Sequence, residues 1–180
     1  MKLEGFNPLS FQTIPGLPPW FDWDATFYIG DGKNIFFGAT KMIGVDYKSF
    51  KVIDRTDYSK DQNHVYFNGE IIVWADSKTF NYIDWDAFSQ YARDKNSVYI
   101  NWKKKDWVNA DTFEYIWSTW LDENYTKDKD NVYYNNQLIE WADTKTFTVT
   151  NTNSGELTTT TVSDKDCIYQ KNECIGENKK

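Results

Sequence analysis

Histidine, cysteine and methionine are nearly missing from this 180-residue chain, which holds one His, two Cys and two Met. The single histidine, His64, has no motif around it to supply the partners of a catalytic triad or a His-based metal site. Leu and Ala are scarce, which argues against helix bundles. Proline occurs only as Pro8, Pro15, Pro18 and Pro19, all inside an extended N-terminal lead-in over 1–27. No run approaches the roughly 20 apolar residues of a membrane span, so no transmembrane segment is expected. The start, Met1 to Gly5, lacks the charged-then-apolar layout of a secretion signal. Positive charge is in deficit: 20 Lys and Arg stand against 27 Asp and Glu, a net −7. That balance repels nucleic acid and anionic lipid, and it suits a basic protein partner as well as plain solubility. No Gly-rich phosphate loop, nucleophile elbow or Cys-x-x-Cys pair appears, so no cofactor is implied.

What is abundant is aromatic. Nine Trp, twelve Tyr and twelve Phe make up 18% of the chain, and rings in that number must be buried in a core or displayed for binding. They recur in register. Anchored on Asp31, Asp61, Asp94, Asp128 and Asp164, a Tyr stands three residues before the first four, as Tyr28, Tyr58, Tyr91 and Tyr125. Four residues after the anchors come Ile35, Val65, Val98, Val132 and Ile168, and one further on Phe36, Tyr66, Tyr99, Tyr133 and Tyr169. Thirteen after are Gly44, Trp74, Trp107 and Trp141; fifteen after, Asp46, Asp76, Asn109 and Asp143; nineteen after, Phe50, Phe80, Phe113 and Phe147. The anchors are 30, 33, 34 and 36 residues apart, and all of that variation follows the Phe. A constant block with variable connections is the mark of a repeat architecture, in which such connections often form the binding rim.

Each block reads as a hairpin. His64 to Phe67 form one strand, Asn68-Gly69 a two-residue turn with positive φ, and Glu70 to Ala75 the return strand. Asn135-Asn136 and Lys171-Asn172 occupy the same turn in later copies. Alternation predicts that Val65, Phe67, Ile72 and Trp74 share the core face, repeated by Val132, Tyr134, Ile139 and Trp141. Tyr66 points the other way. The anchor Asp opens an Asx turn, and the later Asp caps a single helical turn leading to the Phe, which plugs the gap between units. The chain is therefore expected to be all-β: about five tandem β-hairpin repeats of 30–36 residues over 28–176, stacked or closed into a small barrel or propeller-like ring, with a disordered tail at 177–180.

Asp94-Lys95-Asn96-Ser97-Val98-Tyr99 and Asp128-Lys129-Asp130-Asn131-Val132-Tyr133-Tyr134, with Ala75-Asp76-Ser77-Lys78-Thr79-Phe80 and Ala142-Asp143-Thr144-Lys145-Thr146-Phe147, resemble the double signature of the DKNYY family. The resemblance covers residues 28–176. Copy one departs with Asp31-Gly32-Lys33-Asn34, and copy five holds Cys167. The resemblance implies a bacterial repeat protein, exported or lipid-anchored with its leader removed, although a cytoplasmic location stays open. It supplies no catalytic residues.

Cys167 and Cys174 fall diagonally across the last hairpin. They form either a disulfide, which implies an oxidising compartment, or two half-buried thiols. Asp128-x-Asp130 and Asp164-x-Asp166 have the short ligand spacing of calcium loops, but no full loop is present, and Asx turns account for them. Tyr66, Tyr99, Tyr133 and Tyr169 form either a ladder for stacking on a carbohydrate or a second buried layer. Lys103-Lys104-Lys105 reads as a hairpin tip. The irregular connections that carry Trp85, Asp86 and Phe88, and Trp117, Trp120, Asp122 and Glu123, combine aromatics with acids as protein interfaces do. The expectation is a non-catalytic protein-binding module, such as an immunity or inhibitor protein against a basic bacterial toxin. The alternatives are a carbohydrate-binding module using the Tyr ladder and, last, a hydrolase using acids outside the repeat.

Overall fold

The computed structural model describes residues 12–13, 28–53, 56–85, 89–118, 124–154 and 157–178. These form five antiparallel sheets and no helix. The expected lead-in over 1–27 lies outside them except for Gln12–Thr13, which pair as a strand with Ile29 and Gly30.

Every sheet is a four-stranded meander in chain order. The first holds β1 (Gln12–Thr13), β2 (Tyr28–Gly30), β3 (Ile35–Phe37) and β4 (Thr40–Lys41). The second holds β5 (Lys51–Val52), β6 (Tyr58–Lys60), β7 (Val65–Phe67) and β8 (Glu70–Ile71). The third holds β9 (Asn81–Trp85), β10 (Gln90–Arg93), β11 (Val98–Ile100) and β12 (Lys103–Lys105). The fourth holds β13 (Glu114–Ser118), β14 (Asn124–Lys127), β15 (Val132–Tyr134) and β16 (Gln137–Leu138). The fifth holds β17 (Thr148–Ser154), β18 (Leu157–Ser163), β19 (Cys167–Gln170) and β20 (Glu173–Glu177).

The repeat is thus a four-stranded sheet rather than a bare hairpin. The residues after each Phe, where the copies differ in length, form the first strand of the next sheet. That strand has two residues in β5, five in β9 and β13, and seven in β17. Extra length therefore extends an outer hairpin and leaves the common block untouched. Of the tail expected at 177–180, Glu177 ends β20 and Asn178 bonds back to the carbonyls of Asp166 and Asp164, while 179–180 lie outside the described residues.

The anticipated turns form. Asn68 and Gly69 have φ of 49° and 80°, and Asn135 and Asn136 have 46° and 66°. Glycine is needed at 69 for a second reason. A Cβ there would lie 2.6 Å from the Cβ of Phe37 in the preceding repeat, well inside van der Waals contact. In repeat three this turn is Asn101-Trp102, and the indole packs on Phe67 with ring centroids 5.0 Å apart. The three lysines that follow are therefore an edge strand, β12, and not the hairpin tip. The signal was present: Asn101 stands seven residues after its anchor, as Asn68 and Asn135 do.

The sheets pack in series. Tyr58, Val65, Ile72 and Phe80 of repeat two enclose one core together with Ala92 and Tyr99 of repeat three. Repeat three does the same with Tyr133 of repeat four, and repeat four with Tyr169 of repeat five. Both faces of each interior sheet are therefore buried, the Val face inside its own repeat and the Tyr face against the one before. Among the described residues, each cluster joins neighbours in the chain, and none joins the fifth sheet to the first.

Trp74 and Trp141, expected in the core, are exposed instead. The edge strands β8 and β16 end at Ile71 and Leu138, and the chain turns after the buried Ile72 and Ile139. Two-residue alternation has no meaning beyond a strand's end.

Candidate functional site

The repeated carboxylates explain themselves first. Asp61 is buried, and its two oxygens are divided between tasks. Oδ1 accepts the backbone N–H of Asn63 and His64, each at 2.7 Å, closing the Asx turn. Oδ2 accepts the N–H of Asp46, from the preceding repeat, and the hydroxyl of Tyr66, each at 2.8 Å. Asp164 repeats the pattern with Asp143 and Tyr169. The hydroxyls of Ser49, Thr79, Thr112 and Thr146 in turn accept the N–H of Gln62, Lys95, Lys129 and Lys165. This is an inter-repeat clasp, and it commits the carboxylate oxygens to backbone and tyrosine donors.

The tyrosine column is half of that clasp. Tyr66, Tyr99, Tyr133 and Tyr169 are all buried, so they form the second buried layer and offer no ladder for sugar stacking. The phenol hydroxyl bonds the Asp of its own repeat, five residues earlier, while the same carboxylate takes a backbone N–H from the repeat before.

The clasp fixes two pH limits. Burial alone would raise the Asp61 carboxyl, but the N–H groups of Asp46, Asn63 and His64 and the Tyr66 hydroxyl outweigh it and hold the group below its ordinary value. Asp164 is lowered by the same balance. A lowered folded value contributes stability that is full above the unfolded carboxyl pKa of about 3.9 and is lost as pH falls through the folded value. The tyrosines move oppositely. Burial, and then the charge of Asp128, pushes Tyr133 up to about 12, and Tyr66, Tyr99 and Tyr169 are raised as well. Their contribution is full below the unfolded tyrosine pKa of about 10 and is lost as pH rises through the folded values. Stability should therefore be flat between about pH 5 and 9. At the alkaline end, tyrosinate absorbance and loss of circular dichroism should appear together in one step. Clasp tyrosines ionising near pH 10 in a chain that remains folded would contradict the clasp.

The expected partner-binding residues fare differently. Trp85 ends β9 opposite Gln90, and Trp117 lies in β13 opposite Tyr125, where the register shifts between Tyr115 and Trp117. The side chains of Trp85 and Trp117, and Asp86, Phe88, Trp120, Asp122 and Glu123, lie outside the described residues. His64 stands 3.9 Å from Asp61, at the edge of the clasp. Cys167 and Cys174 are joined in a disulfide with Cα atoms 5.7 Å apart.

A surface not anticipated from sequence is an apolar rim. Nine large apolar side chains are exposed among the described residues: Ile43, Ile71, Val73, Trp74, Trp102, Trp107, Leu138, Trp141 and Ile175. Every one lies eight to thirteen residues after an anchor Asp. That window holds the hairpin turn, the edge strands β4, β8, β12 and β16 of the first four sheets, and the turn that follows. It is the opposite sheet edge from β5, β9 and β13, where the connections vary. Two shallow grooves open between successive edge strands. One, of about 270 Å³, is lined by Phe67, Ile71, Ile72 and Trp102 among others. The other, of about 460 Å³, is lined by Phe37, Met42, Ile43 and Ile71 among others.

The family model for DKNYY matches residues 27–173, most of the chain. The chain belongs to the DKNYY family. No curated protein and no solved structure matches it. Within this DKNYY chain the most regular part of the rim is Trp74, Trp107 and Trp141, at the same place in three consecutive repeats and 76%, 46% and 95% exposed. Trp141 has φ of 69°, where repeat one has Gly44 at 77°. Left-handed backbone costs a residue with a Cβ about 1–2 kcal/mol. A bulky ring held at a glycine position, and pointed at water, is stabilised by nothing in the fold that the described contacts show. Strain of this kind concentrates at functional sites.

Proposed function

We propose that this chain is a non-catalytic binding module whose rigid stack displays its recognition surface along the apolar rim. The observation that carries this reading is that, among the described residues, all nine exposed large apolar side chains fall in one window of the repeat. Contiguous exposed apolar surface costs solubility and marks interaction sites. The clasps keep successive rims at constant spacing, so that one extended partner meets several at once. The Cys167–Cys174 bridge supports a location outside a reducing cytoplasm, in keeping with an exported bacterial protein.

A second reading, a basic protein partner such as a toxin held by an immunity protein, is favoured by the net charge of −7. It would act through the acidic, aromatic connections. The two readings separate in one experiment. Bound partner should protect backbone amides of residues 70–74, 103–107 and 137–141 from hydrogen exchange if the rim binds. Protection confined to β9, β13 and their hairpins, with strong salt sensitivity, would reject the rim and support the second reading.

A further inference from the structure

We infer that the Phe36 face of the first sheet is a docking surface whose occupant is residues 5–11 of this same chain, which supply the trailing half of a further repeat. The inference is independent of what the rim binds. The family match begins at residue 27 and does not cover the segment.

Three observations carry it. The first is the register of β1. It meets β2 with Gln12 opposite Gly30, the residue before the anchor Asp31. The other four sheets begin the same way. Lys51 faces Lys60, Asn81 faces Arg93, Glu114 faces Lys127 and Thr148 faces Ser163, each partner standing one residue before its anchor. In all four, the residue just before the opening strand is the repeat's Phe: Phe50, Phe80, Phe113 or Phe147. The residue just before β1 is Phe11. β1 is therefore an ordinary opening strand, and Phe11 stands in the column that plugs each junction.

The second is the sequence leading to Phe11. Gly5-Phe6-Asn7-Pro8-Leu9-Ser10-Phe11 aligns without a gap on Gly44-Val45-Asp46-Tyr47-Lys48-Ser49-Phe50 and on Trp107-Val108-Asn109-Ala110-Asp111-Thr112-Phe113. Gly5 and Ser10 repeat the choices of copy one, and Asn7 that of copy three. Pro8 falls on the first residue after the cap of the single helical turn, a place where a missing N–H costs nothing. In the equivalent turn the cap Asp76 takes the N–H groups of Lys78 and Thr79, the second and third residues.

The third is the face itself. Tyr66, Tyr99, Tyr133 and Tyr169 each share a buried cluster with the Phe of the preceding repeat. Phe36 holds the same position and is just as buried, at 1% exposure, but it belongs to none of those clusters. Its cover lies outside the described residues, and the register offers Phe11.

The equivalences assign each contact. The N–H of Asn7 goes to Oδ2 of Asp31, as that of Asp46 goes to Asp61 at 2.8 Å. The Ser10 hydroxyl accepts the N–H of Gly32, as that of Ser49 accepts the N–H of Gln62 at 3.0 Å. Phe11 packs on Phe36, as Phe50 does on Tyr66 with ring centroids 6.0 Å apart.

The test is amide hydrogen exchange of the full chain followed by NMR, with melting temperatures alongside. Ser10→Ala should speed exchange of the Gly32 amide about fivefold, the effect of one hydrogen bond, and leave the Gln62 and Lys95 amides as they were. Ser10→Thr, the choice of the later copies, should restore protection. Phe11→Ala and Phe36→Ala should each lower the melting temperature, and the pair should lower it by clearly less than the sum. Phe11→Ala with the distant Phe147→Ala should be additive. A Gly32 amide indifferent to Ser10→Ala, or full additivity of Phe11→Ala and Phe36→Ala, would overturn the assignment. Protection of the first sheet that falls on dilution would give the face to a second copy of the chain and overturn it as well.

Discussion

Asp94→Ala should lower the unfolding free energy by about 3–5 kcal/mol, a large share of the roughly 5–15 kcal/mol typical of a domain. Asp94 is buried between repeats two and three. Its Oδ1 accepts the N–H of Asn96 at 2.7 Å and of Ser97 at 2.8 Å, and its Oδ2 accepts the N–H of Asp76 and the hydroxyl of Tyr99, both at 2.8 Å. Alanine leaves three backbone donors without their acceptor, and a buried unmet donor costs more than a hydrogen bond is worth. Asp94→Asn separates the halves of the clasp. Its carbonyl can still close the Asx turn, but its amide then faces two donors, so most of the loss should persist. Tyr99→Phe should cost far less, about 1 kcal/mol, because Asp94 keeps three partners. Repeat one shows that such a replacement is tolerated at an end: it has Phe36, and the Oδ2 of Asp31 accepts the Asn34 amide at 2.9 Å instead. Urea unfolding followed by circular dichroism and by tryptophan fluorescence checks the series. The damaged junction lies inside the stack, so the alanine variant should unfold in two steps where the parent unfolds in one. A loss below 1 kcal/mol for alanine would show that the clasp is not what joins the repeats.

Phe80→Ala should cost a similar 3–5 kcal/mol, through packing instead of hydrogen bonding. The ring is buried at the same junction, with its centroid 5.2 Å from that of Tyr58 in its own repeat and 5.8 Å from that of Tyr99 in the next. Removing it opens a cavity whose lining comes from two sheets. Collapse around it would require one repeat to shift against the clasp. Phe147 is placed likewise, 5.7 Å from Tyr125 and 5.6 Å from Tyr169, but its loss should free only the terminal sheet. The two phenylalanines are therefore expected to differ less in total cost than in cooperativity: the interior one splits the stack, the other frays an end. Phe80→Ala combined with Asp94→Ala should cost clearly less than the sum, since either alone opens the junction. Full additivity would mean that the ring and the carboxylate hold separate parts of the structure.

Much of the frame was legible in the amino-acid order because its parts repeat. Asx turns, positive-φ turns and the Asp–Phe helical turn each involve residues two to four apart, and local geometry follows from local residue type. The Cys167–Cys174 pairing was open from sequence, and the structure closes it. What the order could not supply was the far side of each contact. The number of rings favours a buried layer for the tyrosine column, but a display stays open until the preceding sheet is in place to cover it. Trp74 and Trp141 were assigned to the core by extending alternation past the end of a strand. That end is set where Ile72 and Ile139 bond back to Val65 and Val132, each at 2.8 Å.

By itself, the amino-acid order determined the all-β class, the repeat, its turns and the identity of the residues that punctuate them, because each depends on φ preference or on a hydrogen bond within a few residues. Only the tertiary structure decided that consecutive sheets pack in series, that a carboxylate and a phenol clasp each pair, and that tryptophans stand in water along one edge. Those outcomes depend on which surfaces of separate sheets come together, and burial is a property of the neighbour as much as of the residue.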